Sequence, residues 1–524
     1  MNELTAPARW WALAVLCLSL VVVTIDTTIL NVALPSLVRD LHAGSSSLQW
    51  IVDAYTVVFA GLLLSAGSLG DRLGRRGALS AGLAVFAVAS AASALASTPG
   101  ALIALRSLTG VGAALIFPAT LSILTNLFPD PVQRQRAIAI WAGTAGIGIG
   151  LGPVAGGLLL RHFYWGSVFW VNVPVCAIAL IAGLVLVPTS RDTDQVPLDP
   201  PGALLSIVGL SGLVYGIIEG PTRGWASPMV IGAVVGSGVV LAVFAAVELR
   251  RRAPMLDLRL FTHPQFTAAS LAVTALYFCL FGTIFFQTQH LQFILGYDAL
   301  GAGLRSLPFA VVLLVVANTT PKLVRWAGTR AVITTGLGVV AVSMALRAGF
   351  TVHSGYAAVL VSQSIFALGM GLTIAPATAS IMGAVPPGRA GVGSAINDTT
   401  RQVGGALGVA VMGSVGASLY HRSAARGLAA AHLSPAVSAK ALDSVGAALA
   451  SARTLPAGVA QTIDEAARRA FIHGLDVASV VGLGVAIAGA CVAWRFLPAG
   501  MRVGAAVPAA PADDVLVLAT EIDL

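Results

Sequence analysis

Long apolar stretches separated by short polar breaks run along almost the whole chain. An α-helix needs about 20 apolar residues to cross a hydrocarbon core of about 30 Å. Windows of that kind fall near 11–34, 48–69, 78–97, 101–127, 137–160, 168–187 and 203–220. Seven more follow near 228–248, 266–288, 304–321, 331–350, 356–383, 391–417 and 471–495. The pattern predicts an all-α integral membrane protein with fourteen transmembrane helices. The first window is too long for a cleavable leader and is followed by further spans, so it reads as the first helix. An even number of crossings puts both termini on one side.

Composition agrees with this reading. Only 10% of the 524 residues are charged and 57% are hydrophobic, with a mean hydropathy of +0.89; ordinary soluble domains are about 25% charged. The net charge of +8 invites a nucleic-acid reading. No basic run is long or interleaved with aromatics, however, so the positive residues serve to orient helices and no nucleic-acid partner is expected. Of the thirty lysines and arginines, seventeen fall in the N-terminal segment, the even-numbered loops and the C-terminal tail; the short odd-numbered loops and adjoining helix ends hold five. Both termini are therefore expected in the cytoplasm of a bacterial cell, in a multi-pass protein of its cytoplasmic membrane. Cys17, Cys176, Cys279 and Cys491 lie in four different apolar segments, which indicates neither a disulfide framework nor a metal site. No cofactor is expected.

PATLSI (118–123) in the fourth window recurs as PATASI (376–381) in the twelfth, and Gly74 and Arg76 have counterparts in Gly328 and Arg330. Duplicated halves facing one another are the architecture of alternating access. The expected organisation is a six-helix bundle over 1–190, two inserted helices over 191–262, and a second bundle over 263–495. That second bundle includes a long external segment at 418–470, and a disordered tail follows at 496–524.

The few charges inside the spans are the candidate chemistry. Asp26 sits mid-window in VVVTIDTTIL. A carboxylate there is costly unless paired, protonated or facing water, and it can exchange a proton as its surroundings change. Arg106 keeps its proton and can pair with a carboxylate. Asp53 in WIVDAY, Asp398 with Arg401 one turn later, and Gln287 and Gln289 beside His290 and Gln292 are candidates for the wall of a cavity. Acidic groups facing such a cavity attract lipophilic cations. Gly148, Gly152 and Gly156 recur every four residues and form a smooth groove for a neighbouring helix, with Pro153 as a kink and Gly157 beside them. GSLGDRLGRRG (67–77) concentrates Asp71, Arg72, Arg75 and Arg76 in one turn flanked by Gly67 and Gly74. The arginines hold the loop on the cytoplasmic side, and the glycines allow helix ends to approach.

These motifs carry a family resemblance. GSLGDRLGRRG resembles motif A of the major facilitator superfamily, LIALRSLTGVGAA (102–114) its motif B, and GIGLGPVAGG (148–157) its motif C, the antiporter motif. TIDTTILNVALP (24–35) is similar to the first-helix signature of drug:proton antiporters, and with fourteen helices it points to the QacA/EmrB type. WGSVFWVNVPV (165–175) and GSAINDTTRQVGGALGVAV (393–411) extend the match. The resemblance implies the major facilitator fold, proton coupling through Asp26 and Arg106, and a cytoplasmic gate at Gly67, Asp71, Arg72, Gly74, Arg75 and Arg76. It also implies a hinge and seal in the motif C helix. The function it implies is proton-driven efflux of lipophilic compounds, cationic ones among them, by a monomer. A dedicated exporter of one endogenous metabolite stays open, and so does a nutrient symporter, although uptake members generally lack motif C. No H-E-x-x-H, Walker A loop or G-x-S-x-G is present, so an enzyme is not expected.

Overall fold

The computed structural model describes residues 6–189, 199–251, 254, 256–384, 390–429 and 433–498. Side chains at some further helical positions, Asp71 and Arg72 among them, lie outside this set, as does the tail beyond 498. Among the described residues the chain is helical with no strand. The spanning helices are α1 (Ala6–Asp40), α2 (Ser45–Leu73), α3 (Arg75–Ala94), α4 (Pro99–Leu127), α5 (Pro131–His162), α6 (Ser167–Leu186) and α7 (Pro200–Arg223). They continue with α8 (Pro228–Arg250), α9 (Pro264–Gln289), α10 (Ala299–Ala327), α11 (Thr329–Arg347), α12 (Tyr356–Gly383), α13 (Ala390–Leu428) and α14 (Ala457–Phe496). Thirteen helices among the described residues are long and apolar enough to cross a membrane. The 32-residue α5 covers the remaining sequence window.

The helix starts follow from local chemistry. Thr98, Asp130, Asp199 and Ser227 each accept a hydrogen bond from the backbone N–H three residues on, and each is followed by a proline at the first helical position. A short polar cap satisfies an otherwise orphaned donor, and proline has none to lose. Gly74 and Gly328 turn the chain between α2 and α3 and between α10 and α11, with φ of 106° and 83°, a region that favours glycine. The internal repeat therefore extends to backbone conformation.

The segment expected to be external at 418–470 is largely helical among its described residues. α13 continues unbroken to Leu428 and α14 starts at Ala457; neither extension holds a proline, and their glycines, Gly427 and Gly458, lie at the outer ends. Two short helices, Pro435–Asp443 and Val445–Ala452, lie between them. The Asp443 carboxylate rests against Gly44 at the start of α2, where a Cβ would stand 2.7 Å from it.

The side of the bundle on which α1 begins and α14 ends is here called the terminal face, and the opposite side the far face. One hydrophobic core runs from the far parts of α1 and α2 (Leu34, Leu37, Ile51) into the second bundle (Phe278, Phe286, Met412). The terminal part of the first bundle holds a separate core around Leu16, Phe59, Phe86 and Ile123. Among the described residues the halves are thus joined in their far portions. The inserted helices α7 and α8 pack side by side, and Val214 and Ile218 of α7 meet Val57 of α2 and Ala406 and Ala410 of α13. α8 lies outermost, with Ile231, Val235, Val239 and Val243 exposed along one face. That is a lipid-facing stripe.

Candidate functional site

Asp26 and Arg106, distant in sequence, meet in the interior of the first bundle. The Arg106 Nη1 donates to Asp26 Oδ2 at 2.5 Å, and the two side chains are 1% and 0% exposed. Asn172 Nδ2 donates to the other carboxylate oxygen at 2.8 Å and lies 3.4 Å from Ser90 Oγ. Arg106 also donates through Nε to the carbonyl of Ile51 at 3.3 Å and stacks over the Tyr55 ring at 4.5 Å. The carboxylate is thus held by one cation and one amide, an arrangement that persists without water while Asp26 is ionised. The pair is a charge-assisted contact between α1 and α4, and apart from it Arg106 has only a carbonyl and aromatic faces beside it. Asn172 and Tyr55 were not singled out from the sequence. An asparagine inside the apolar run FWVNVPV was the available signal.

The opposite side of α1 is clamped by the glycine helix. A Cβ on Gly148 would strike Thr24, one on Gly152 would strike Thr28 and stand 3.1 Å from the carbonyl of Ile25, and one on Gly156 would stand 2.8 Å from Ile29 Cγ1. Gly157 turns the other way, where a Cβ would lie 2.6 Å from the Ala299 carbonyl of α10, and the Pro153 carbonyl lies against Gly303. Helix α5 is therefore wedged between the helix that carries Asp26 and the second bundle. It meets α1 chiefly at the Thr24, Thr28 and Ile29 side chains and α10 at the backbone of Ala299, Leu300 and Gly303.

At the motif A turn, Arg75 and Arg76 open α3, and Arg76 Nη1 lies 3.4 Å and 3.3 Å from the carbonyls of Leu184 and Val187 at the end of α6. Its repeat counterpart, Arg330, stacks over Trp494 near the end of α14 at 4.2 Å. Asp71 and Arg72 fall outside the described side chains. Close approach is not what Gly67 provides, since a Cβ there would meet only Pro118 Cβ at 3.6 Å, an ordinary contact.

Between the halves lies a narrow cavity of about 50 Å³, walled by Thr28, Asn31, Gly150 and Pro153 on one side and by residues including Thr283, Gln287, Ser306, Phe309, Gln363 and Phe366 on the other. Of the four cavity candidates, Gln287 is in this wall. Gln289 is buried and donates back to the Phe285 carbonyl of its own helix. Asp398 lies 3.5 Å from Arg401 along α13. Asp53 sits one turn from Gln49, which accepts from Ser414, and one turn from Val57, so it occupies the α2–α13 seam. It is fully buried there, with both carboxylate oxygens unpartnered. These three stand apart from the cavity wall because α9, α13 and α2 each rotate them onto another face, and a linear sequence does not fix that rotation. Gln363 and Arg347, which adjoin Gln287, were not recognised from the sequence. Among the described residues no cluster of His, Cys, Asp and Glu is placed to hold a metal ion.

A sequence model of the Major Facilitator Superfamily matches residues 16–409. The chain is 37% identical over 492 residues to the multidrug efflux pump LfrA of Mycolicibacterium smegmatis, covering 93% of this chain and 96% of that protein. It is 34% identical over 493 residues to the puromycin resistance protein pur8 of Streptomyces alboniger, covering 93% and 91%. The fold matches the crystal structure of a bacterial homologue of the human lysosomal transporter Spinster, itself inward-facing and occupied. The TM-score is 0.66 at 18% identity, over 94% of this chain and 98% of that one. The repeated halves, the helix count and the matched span all lead to one assignment: the chain belongs to the Major Facilitator Superfamily.

Proposed function

We propose that this protein is a proton-driven exporter of lipophilic drugs or antibiotics, an antiporter in the cytoplasmic membrane of a bacterium. The observation that carries this reading is the buried Asp26–Arg106 pair on a helix whose other face is seated in the glycine groove of α5. Both named relatives, a multidrug efflux pump and a puromycin resistance protein, support the export direction. The terminal face is read as cytoplasmic from the seventeen-to-five excess of basic residues on that side. With the halves joined at the far face, the chain is then poised to receive substrate from the cytoplasm. Both halves lie in one polypeptide, and the working unit is read as a monomer.

A proton entering from outside discharges Asp26, loosens α1 from α4, and is released to the cytoplasm when the pair re-forms. Each charge moved releases roughly 2.3 kcal/mol per 100 mV, enough for roughly a fiftyfold gradient before the pH difference is added. The test uses everted vesicles with an acidified lumen and the neutral dye Nile red. Dye accumulation that nigericin abolishes is expected. Accumulation unchanged by collapse of the pH gradient, or none above vesicles lacking the protein, overturns the reading.

A further inference from the structure

The halves repeat one another, and the repeat breaks at the cavity. PATLSI and PATASI are 258 positions apart. On that offset the Asp26–Arg106 pair of α1 and α4 falls, within a turn, on Gln287 and Gln363 of α9 and α12. These two are also in contact: Gln287 Nε2 donates to Gln363 Oε1 at 2.9 Å. The second bundle therefore has a neutral amide pair where the first has an ion pair.

Behind the amides stands a cation. Arg347, at the end of α11, is 2% exposed and donates through Nη2 to Gln287 Oε1, while its Nε has no partner. Among the described residues it makes no ion pair. The nearby titratable side chain is His290, packed against Phe350 and Phe471 and buried with neither ring nitrogen bonded. Asp476 of the neighbouring α14 has an unpartnered Oδ1 but makes no ion pair with Arg347, and four further acids are placed elsewhere. Asp26 is bound to Arg106, Glu219 to Arg223 at 2.8 Å, and Asp398 lies beside Arg401, while Asp53 is enclosed in the α2–α13 seam. A guanidinium withdrawn from water with donors to spare is expensive unless a negative group joins it. The cavity wall next to Gln287 is where such a group can arrive.

The way out continues in the same sense. Arg305, at the break in α10, stacks over Tyr297 at 3.6 Å, and its Nε is also unpartnered. Beyond it, a far-face recess of about 860 Å³ is lined by Arg39, Arg161 and Arg453, besides Asp298 and the Arg468–Asp464 pair. Positive charge therefore exceeds negative from cavity to exit, a field that draws anions along it.

Building on the export reading, we infer that Arg347, presented through Gln287 and Gln363, is a subsite for the acidic group of an amphiphilic substrate, a carboxylate or an ionised phenol. Such a group takes the unspent donors of Arg347 once it displaces the Gln287 amide.

The test compares fusidic acid with its methyl ester, two probes of one shape that differ in charge, in everted vesicles with Nile red as the neutral reference. The intact protein is expected to carry the acid with a KM at least tenfold below that of the ester. Arg347→Gln is expected to bring that ratio near one, and Arg347→Lys to keep most of it. Equal handling of acid and ester by the intact protein, transport of neither, or an undiminished ratio in Arg347→Gln overturns the inference. Should Arg347→Gln fail to assemble, the ratio in the intact protein and in Arg347→Lys decides. Loss of gradient-driven Nile red transport in the intact protein marks failure of the export reading instead, separately from the acid-to-ester ratio.

Discussion

At the scale of single residues, the Asp26–Arg106 pair separates stability from transport. Removing one member of a buried ion pair costs about 3–5 kcal/mol because the other charge is left uncompensated. Asp26→Asn is therefore expected to lower the thermal unfolding midpoint in detergent and to abolish gradient-driven dye transport. Adding Arg106→Gln removes the stranded cation, so the double variant is expected to regain most of the lost stability while transport stays absent. Recovery of transport in the double variant would count against proton coupling at this pair. Asp26 and Arg106 were both legible in the sequence, because a charge in an apolar window is too costly to be incidental. Their neighbours were not. Asn172 and Tyr55 are ordinary residues in a linear reading, and only the packing of α6 and α2 against α1 and α4 gives them a charged partner. Arg347 was hidden for the converse reason: an arginine at a helix end normally reaches water, and here the helix end is covered by α9 and its neighbours.

At the scale of elements, the spacing of Gly148, Gly152 and Gly156 identified a groove but not its occupant. The structure seats α1 in it, and the contacts leave no room for a side chain. Gly152→Val is expected to push α1 off α5, costing about 1–3 kcal/mol by overpacking and reducing transport at least tenfold in vesicles matched for protein content. Gly143→Ala, on the same helix, is the control, since a Cβ there meets nothing within 4 Å. It is expected to transport as the parent does. The motif A turn gives a second contrast. Gly74 has φ of 106°, so Gly74→Ala strains the backbone by an amount on the order of 1–3 kcal/mol. Gly67→Ala, with only Pro118 Cβ nearby at 3.6 Å, is expected to be mild in a thermal-unfolding assay. The helix windows were legible because hydrocarbon thickness imposes their length. The extents of α13 and α14 beyond the membrane were not, since alanine-rich sequence with scattered charges suits a helix in water as well as a loop.

At the scale of the molecule, one continuous core joins the halves at the far face, and the terminal part of the first bundle has a core of its own. A cavity of about 50 Å³ is far below the roughly 300–1,000 Å³ of an occupied drug site, so loading requires the terminal portions to part further before the far seam opens. Fixing the far seam therefore has to stop turnover without stopping entry. The seam offers a direct handle where Gln49 of α2 meets α13, since a Cβ on Gly413 would stand 2.8 Å from the Gln49 Cδ. Cysteines at both positions, Gln49→Cys with Gly413→Cys, are expected to cross-link under mild oxidation and to end gradient-driven transport. Dithiothreitol is expected to restore it, and each single variant to be insensitive to oxidant. Dye binding to the cross-linked protein in detergent is expected to persist, because its access lies on the terminal side. A cross-linked protein that still transports would mean that the far seam does not open during the cycle. A cross-linked protein that no longer binds would place the entrance on the far face and reverse the assignment of the two sides.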